Sequence, residues 1–258
     1  MPPPALVIDI GNSRIKWGRL DEGGRLVGSM ATTIGDQASW GMILDRLAMG
    51  GILEVSVASV NPPAAERLGE TLRGRGIGPI RWYRSAADVP VRHGLEAPGR
   101  TGADRALAVL AAVSGKGHSG PGIVVQCGTA ITVERIGPDG GWQGGAIGIG
   151  LSLASRALHA GTAQLPDFAS LLSEIEPPAW GASTRPAMTA GIVWGAVGTI
   201  RELIARLSEG TDPPPWVVWT GGDASGLAPL VGGRLTEVEP DLVLIGLSIA
   251  RTTPVTSR

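Results

Sequence analysis

Two short segments of the chain share one order of residue types that is suited to binding a phosphate chain. The segment at residues 7–17 reads VIDIGNSRIKW, and the segment at residues 124–134 reads VVQCGTAITVE. In each, an apolar strand pattern leads through a polar residue to a glycine and a small polar residue, and a second strand pattern follows. A glycine turn between two strands directs backbone N–H groups and a small side chain toward one point, as anion binding requires. The duplication favours a nucleotide-dependent phosphotransferase that grips one polyphosphate with both turns.

The first segment also carries the charges that a magnesium nucleotide needs. Asp9 stands at a strand end, where a carboxylate beside phosphate-facing amides is well placed to hold Mg²⁺ directly or through water. Lys16 adds a positive charge. An Asp-x-Gly sequence alone is equally typical of an ordinary turn, and its partner segment favours the functional interpretation. The predicted ATP and Mg²⁺ residues are Asp9, Gly11, Asn12, Ser13, Lys16, Gly128 and Thr129.

A carboxylate and a guanidinium stand side by side near a predicted helix start, in Asp104 and Arg105. In phosphoryl transfer an Asp can accept the proton of the attacking hydroxyl, so Asp104 is a candidate general base. Taken by itself, the position favours the alternative, an exposed Asp that the helix dipole stabilises at a helix start. The glycines of Thr220-Gly-Gly-Asp223 could let the backbone approach a nucleotide, or form an ordinary turn. The spacing around Thr184 favours an N-terminal helix cap over a substrate contact.

Composition narrows the class of protein. The net charge of −1 gives no electrostatic reason to expect nucleic acid or an anionic membrane as a partner. Cys127 is the only cysteine, so no intrachain disulfide can form, and with no signal peptide evident we expect a cytoplasmic protein. No uninterrupted apolar run reaches about 18 residues, so no membrane span is predicted. Cys127 is expected to be a packed thiol, and the three scattered histidines have no metal-ligand spacing.

The order of elements predicts two related α/β domains. Strands are predicted at residues 5–10, 14–20, 26–34, 54–60 and 80–83, and helices at 37–47, 62–72 and, capped by Thr101, through 112. The pattern restarts with strands at 123–126, 131–135, 142–147 and 216–219 and helices at 151–159, 186–207 and 241–251. We therefore expect domains at residues 1–116 and 117–258, with a crevice between them.

Taken together, these motifs resemble those of type III pantothenate kinase, a member of the acetate and sugar kinase, heat-shock chaperone and actin superfamily. The resemblance covers nearly the whole chain in order. Its motifs are Asp9-Ile-Gly-Asn-Ser13, Ala58-Ser-Val60, Gly102-Ala-Asp-Arg105, Gly128-Thr-Ala-Ile-Thr132, Gly144-Gly-Ala-Ile147 with Gly150, Thr162-Ala-Gln-Leu-Pro166, Thr184 with Ala187-Met188 and Gly191-Ile192, Thr220-Gly-Gly-Asp223, and residues 240–247.

The resemblance implies a fold of two duplicated actin-like (ribonuclease H-like) domains with mixed sheets flanked by helices and a cleft between them. It also implies ATP-dependent phosphorylation of pantothenate to 4′-phosphopantothenate, the first step of coenzyme A synthesis. Asp104 would be the general base, the two glycine turns would hold the ATP phosphates and Mg²⁺, and the chain would form a homodimer that uses K⁺ or NH₄⁺. Pantothenate would contact Leu95, Gly102, Ala103, Arg105 and Thr184.

The chain departs from the family pattern at informative positions. Gln126 stands where the family has an Asp that contacts the monovalent cation, and an amide oxygen without a full charge should hold K⁺ more weakly. Leu95 stands where an aromatic residue is common, which could loosen the pantothenate pocket. Two alternatives stay open: a catalytically weak or inactive nucleotide-binding regulator of the same fold, and a superfamily kinase for another small hydroxylated substrate.

Overall fold

The computed structural model describes residues 5–47, 54–115, 118–168, 176–233 and 236–254. Contacts divide the chain into one unit of residues 1–116 with 241–258 and a second unit of residues 117–240. The sequence places residues 241–258 in the second domain, whereas the last helix packs against elements of the first unit. The expected boundary at residue 116 lies outside the described residues.

The first unit is built on a five-stranded mixed sheet. Its strands are β1 (Ala5–Ile10), β2 (Arg14–Leu20), β3 (Leu26–Thr33), β4 (Glu54–Ser59) and β5 (Ile80–Tyr83), in the order β3-β2-β1-β4-β5. The first three strands are antiparallel, and β4 and β5 run parallel to β1. Because side chains alternate along a strand, Leu6, Ile8 and Ile10 point to one face of the sheet, where they join a buried apolar core.

Helices cover both faces of this sheet. Buried residues of α1 (Gln37–Leu47) and α2 (Pro62–Gly74) complete the core on the first face. The side-chain amide oxygen of Asn61 accepts a hydrogen bond from the Ala64 N–H at 3.1 Å and so caps α2, as predicted. The second face carries α3 (Ala103–Ser114) and α7 (Leu242–Thr252), which pack closely on one another. The prediction that Thr101 caps α3 was wrong, because the cap residue is Gly102 and the Thr101 hydroxyl donates to the Ala97 carbonyl instead.

The second unit repeats the sheet. Its strands are β6 (Gly122–Cys127), β7 (Ala130–Ile136), β8 (Trp142–Ile149), β9 (Trp216–Thr220) and β10 (Thr236–Val238), in the order β8-β7-β6-β9-β10. Again three antiparallel strands are followed by two strands that continue in parallel. The duplication expected from the two glycine turns is therefore confirmed in the topology of the sheets.

The helices of the second unit are α4 (Leu151–Ala160), α5 (Thr184–Leu207) and α6 (Ala224–Val231). One side of α5 and the buried residues of α6 pack against β6 and β7 around the core that includes Val125, Val133 and Trp219. The sequence did not predict α6 or β10. The expected cap at Thr184 was also wrong, since Ser183 is the cap residue and Thr184 begins the helix. Within the described residues, no helix is long and apolar enough to cross a membrane.

Candidate active site

Three charged residues of the first unit meet on one face of its sheet. Asp9 and Lys16 are direct partners across β1 and β2. Successive side chains of β1 lie on opposite faces of the sheet. Ile8 and Ile10 belong to the α1–α2 core, so the side chain of Asp9, between them, points toward the face that carries α3. Asp104 lies in the first turn of α3 and acts electrostatically on Asp9. The sequence-predicted base and the predicted metal-holding carboxylate are thus neighbours in the fold.

The electrostatics of Asp9 fit a cation site. Burial of the carboxyl, and then the nearby Asp104, raise the pKa of Asp9 to about 7, while Lys16 acts in the opposite direction. Two carboxylates close enough to interact, with Lys16 beside Asp9, form a donor set whose negative charge a divalent cation would neutralise. No group of three or more His, Cys, Asp or Glu side chains suited to a metal occurs in the described part of the chain. A Mg²⁺ ion here would take its remaining ligands from phosphate and water, as Mg²⁺ usually does.

Asp104 is positioned by close packing around the start of α3. A Cβ atom at Gly102 would lie 2.5 Å from Asp104 Oδ1 and 3.2 Å from a methyl carbon of Val60, so any side chain there would displace the Asp104 carboxylate. The same Oδ1 accepts a hydrogen bond from the Arg105 N–H at 2.8 Å. Ala103 is fully buried, and the helix begins at the end of β4, next to Val60. The carboxylate is therefore held over the first helical turn.

The first glycine turn follows β1 directly. The Gly11 N–H donates to the Arg14 carbonyl at 3.0 Å, which closes the turn, and the Ser13 carbonyl accepts from Ile34 N–H at 3.0 Å. The side chain of Asn12 is exposed, and Gly11 and Ser13 are half-buried. The turn thus places a small polar side chain at the surface immediately beyond Asp9, as the sequence predicts for a phosphate site.

Two further glycines, Gly150 and Gly221, pack against the backbone of the second glycine turn. The Gly128 N–H donates to the Ala130 carbonyl, and the Gly150 N–H donates to the Thr129 carbonyl, both at 3.1 Å. A Cβ atom at Gly150 would collide with the Gly128 carbonyl, and one at Gly221 would collide with the Cys127 carbonyl. Gly221 also has a φ of +102°, a backbone conformation that residues other than glycine rarely adopt. The sequence patterns did not predict this supporting role. Its only signal in the sequence is a glycine directly after β8 and another directly after β9.

Gln126 and Cys127 end the strand that leads into this turn. The Thr132 hydroxyl, directly opposite across the strand pair, donates to the Gln126 amide oxygen at 3.1 Å. Cys127 is fully buried, which confirms the predicted packed thiol. Burial, and secondarily the Asp223 carboxylate, raise the pKa of Cys127 to about 12, so the thiol is neutral at physiological pH.

Comparison of the chain with known sequences identifies its family. The sequence profile described as "Type III pantothenate kinase" matches residues 5–206. The chain belongs to the type III pantothenate kinase family. It is 35% identical over 263 residues to the type III pantothenate kinase of Acidiphilium cryptum, with 95% of this chain and 92% of the relative covered. It is 37% identical over 251 residues to that of Alkalilimnicola ehrlichii, with coverage of 95% and 97%.

Solved structures share the fold at low sequence identity. The ethanolamine utilization protein EutJ from Carboxydothermus hydrogenoformans superimposes with a TM-score of 0.58 at 17% identity, covering 97% of this chain and 90% of that one. The activator of the 2-hydroxyisocaproyl-CoA dehydratase from Clostridium difficile, solved with bound ADPNP, gives 0.52 at 14% identity and coverage of 96% and 92%. The chain therefore has the expected actin-like fold of duplicated α/β domains.

Leu95 and Thr184, which the family resemblance assigns to the substrate, belong to other segments of the chain than Asp9, Lys16 and Asp104. Leu95 is half-buried in the segment between β5 and α3, where its N–H donates to His93 Nδ1 at 3.4 Å. Thr184 is exposed at the first position of α5 and lines an apolar groove together with Ile149 and Leu151. Membership of a kinase family implies the use of ATP with a divalent metal ion.

Proposed function

We propose that this chain transfers the γ-phosphoryl group of ATP to the primary hydroxyl of pantothenate and so produces 4′-phosphopantothenate for coenzyme A synthesis. The observation that carries the proposal is the pairing of Asp9 and Asp104 on one sheet face, in a chain whose family is type III pantothenate kinase. A carboxylate pair of this kind separates two tasks. One carboxylate holds the metal of the nucleotide, and the other receives a proton from the acceptor alcohol.

Asp104 acts as the general base in this mechanism. As the pantothenate hydroxyl oxygen forms its bond to the γ-phosphorus, the bond from phosphorus to the β,γ-bridging oxygen breaks and ADP leaves. The hydroxyl proton passes to the Asp104 carboxylate. Because Gly102 and the Arg105 N–H restrict the position of this carboxylate, the base does not need to be ordered when the substrate binds.

Asp9 would hold the divalent metal, and Lys16 offsets the local excess of negative charge. When bound, Mg²⁺ supplies charge neutralisation for the phosphate oxygens. The Gly11 and Gly128 N–H groups close the two turns. The small polar side chains of Asn12, Ser13 and Thr129, with the other backbone N–H groups of the turns, hold the phosphate chain. Pantothenate contacts Leu95, Gly102, Ala103, Arg105 and Thr184, as the family resemblance implies.

The monovalent cation is a weaker requirement in this chain than the family resemblance implies. The amide oxygen of Gln126 already accepts a hydrogen bond from the Thr132 hydroxyl, and the amide carries no net charge. A K⁺ or NH₄⁺ ion at this position would therefore be held less tightly than by an aspartate. We expect activity in buffers that contain neither ion. A homodimer in the cytoplasm completes the proposal.

A coupled assay for ADP release, with the product mass measured, tests the proposal. Purified wild-type protein is given ATP, Mg²⁺ and pantothenate, and a panel of other small alcohols is assayed in parallel. Turnover on pantothenate should fall about 100-fold or more in Asp104→Asn, with ATP binding retained. Asp45→Asn removes an exposed carboxylate in the same unit and should leave turnover unchanged.

Three outcomes contradict the proposal. ATP binding without turnover on any alcohol would favour the regulatory alternative. Greater turnover on another alcohol than on pantothenate would favour a different kinase of the superfamily. Full activity in Asp104→Asn would show that Asp104 is not the general base.

A further inference from the structure

Gln126 occupies the position in the second sheet that Asp9 occupies in the first. Each residue stands two positions before the glycine of its turn. The neighbours of Gln126 in β6, Val125 and Cys127, belong to the buried core of the second unit, so the Gln126 side chain points to the opposite face of the sheet. At equivalent places, one sheet therefore presents a carboxylate and the other a neutral amide.

The orientation of the Gln126 amide is set by its neighbours in the sheet. Gln126 lies directly between Thr132 of β7 and Thr220 of β9. The Thr132 hydroxyl donates to Gln126 Oε1 at 3.1 Å, whereas the Thr220 hydroxyl donates to the Pro240 carbonyl at 3.3 Å. Because the oxygen and nitrogen of an amide are attached to the same carbon atom, holding the oxygen toward β7 directs the NH₂ group away from that strand. Thr132 and Thr220 are buried, and Gln126 is half-buried, so of these three side chains Gln126 is the most accessible to a ligand.

The amide has the chemistry that a phosphate chain requires at this place. Phosphate oxygens are negatively charged acceptors, so a carboxylate at position 126 would repel them unless a cation lay between the two. The amide nitrogen of Gln126 carries two N–H donors and no charge, and it can therefore bind a phosphate oxygen directly. The strand that carries Gln126 leads within two residues into the second glycine turn, where the phosphate chain is proposed to bind.

We propose that the NH₂ group of Gln126 donates a hydrogen bond to the phosphate chain of ATP, and that Thr132 positions the amide for this contact. The amide thus takes the place of a monovalent cation in this chain. The inference rests on the nucleotide site of the proposed function. It does not depend on which alcohol accepts the phosphoryl group.

Calorimetric titration of the purified full-length protein with ATP and Mg²⁺, without pantothenate, tests this contact. The buffer contains tetramethylammonium as its monovalent cation, and each titration is repeated with K⁺ at the same ionic strength. Wild type should bind ATP in both buffers with little difference in the dissociation constant.

Two substitutions of Gln126 separate the effect of a donor from that of a charge. Gln126→Met keeps the length of the side chain but removes both N–H donors, so the dissociation constant for ATP should rise about 10-fold or more, with or without K⁺. Gln126→Glu keeps the shape and adds a negative charge. It should weaken ATP binding without K⁺, and K⁺ should restore binding because a cation can lie between the new carboxylate and the phosphates.

Substitutions of Thr132 test its positioning role. Thr132→Val removes the hydroxyl that holds the amide oxygen and should raise the dissociation constant for ATP several-fold, whereas Thr132→Ser keeps the hydroxyl and should bind ATP as wild type does. Gln143→Met is the matched control. Gln143 lies in β8 of the same sheet, and its amide oxygen also accepts a hydrogen bond, from Arg135 Nε at 2.9 Å. This control should bind ATP as wild type does.

Circular dichroism checks that each variant is folded, and Gln126→Glu keeps the test valid if Gln126→Met does not fold. Without K⁺, ATP binding as tight as that of wild type in either folded Gln126 variant would overturn the contact, and so would a wild type that binds ATP only with K⁺. Equal weakening in Thr132→Val and Thr132→Ser would overturn the positioning role of Thr132. If ATP binds as expected but pantothenate is not phosphorylated, the proposed reaction fails and the contact stands.

Discussion

Gly102 and Asp104 are packed so closely that a Cβ atom on the glycine would lie 2.5 Å from the Oδ1 atom of the carboxylate. Because Gly102 has no side chain, the Asp104 carboxylate can occupy the space next to it. The Asp104 carboxylate also accepts a hydrogen bond from the Arg105 N–H and acts electrostatically on Asp9. The geometry of the proposed base therefore depends on a glycine that has no chemistry of its own.

Gly102→Ala should displace this carboxylate without unfolding the protein. Because misplacement of a catalytic group by a fraction of an ångström is costly, we expect kcat/KM for pantothenate to fall about 10- to 100-fold. ATP binding should change little. Gly99→Ala is the control, since a Cβ atom there meets nothing within 4 Å. Steady-state kinetics on both variants decide the matter, and equal activity in the two would show that Gly102 does not position the base.

Gly246→Ala should destabilise the first unit. Gly246 lies where α7 crosses α3, and a Cβ atom on it would collide with the Leu107 carbonyl. Overpacking of this kind costs about 1–3 kcal/mol, because the two backbones must move apart. Gly226→Ala, in an open position of α6, should instead stabilise the protein by about 0.5–1 kcal/mol. Urea unfolding of the two variants, compared with wild type, should therefore give shifts of opposite sign.

Local patterns in the sequence predicted much of this fold. The largely apolar run of β1, interrupted only by Asp9, identified a buried strand, and Asn61 followed by Pro62 identified the start of α2. The helix that carries Asp104 was also predicted. These features depend on residues within one turn or one strand of each other, so a short window contains the information.

Features that depend on distant contacts were not predictable in this way. The residues of α7 are consecutive with the second unit but pack on α3, and no local pattern records that return. In α6, Pro229 interrupts a short apolar segment and conceals the helix. The support that Gly150 and Gly221 give to the second glycine turn arises only when three separate segments meet.

Gly150→Ala should weaken ATP binding specifically. A Cβ atom at residue 150 would collide with the Gly128 carbonyl and lie 2.7 Å from the Thr129 carbonyl oxygen, so the second glycine turn must shift. We expect the KM for ATP to rise about 10-fold or more, with a smaller change for pantothenate. Gly28→Ala, at an open position of β3, should have no effect. An unchanged KM for ATP in a folded Gly150→Ala protein would show that this turn does not hold the nucleotide.

The raised pKa of Asp9 should appear as a dependence of stability on pH. Its pKa rises from 3.8 to about 7 on folding, so between these values the folded protein retains a proton that the unfolded chain has lost. The stabilising effect of this proton is complete below about pH 4 and is lost as the pH rises to about 7. Without divalent cations, the free energy of unfolding of wild type relative to Asp9→Asn should therefore fall over this range, by a few kcal/mol at most. A constant difference across the range would contradict the shift.

Gln126→Asp should increase the dependence of activity on K⁺. The aspartate would place a full negative charge where the wild-type amide oxygen accepts a hydrogen bond from the Thr132 hydroxyl, and that charge attracts a monovalent cation. We expect K⁺ titrations at constant ionic strength to activate the variant by several-fold more than the wild type. Gln143→Asp, at the exposed position 143 of β8, controls for a general effect of added charge. Strong, saturable activation of the wild type itself would show that the neutral amide, together with its other neighbours, is sufficient to hold the ion.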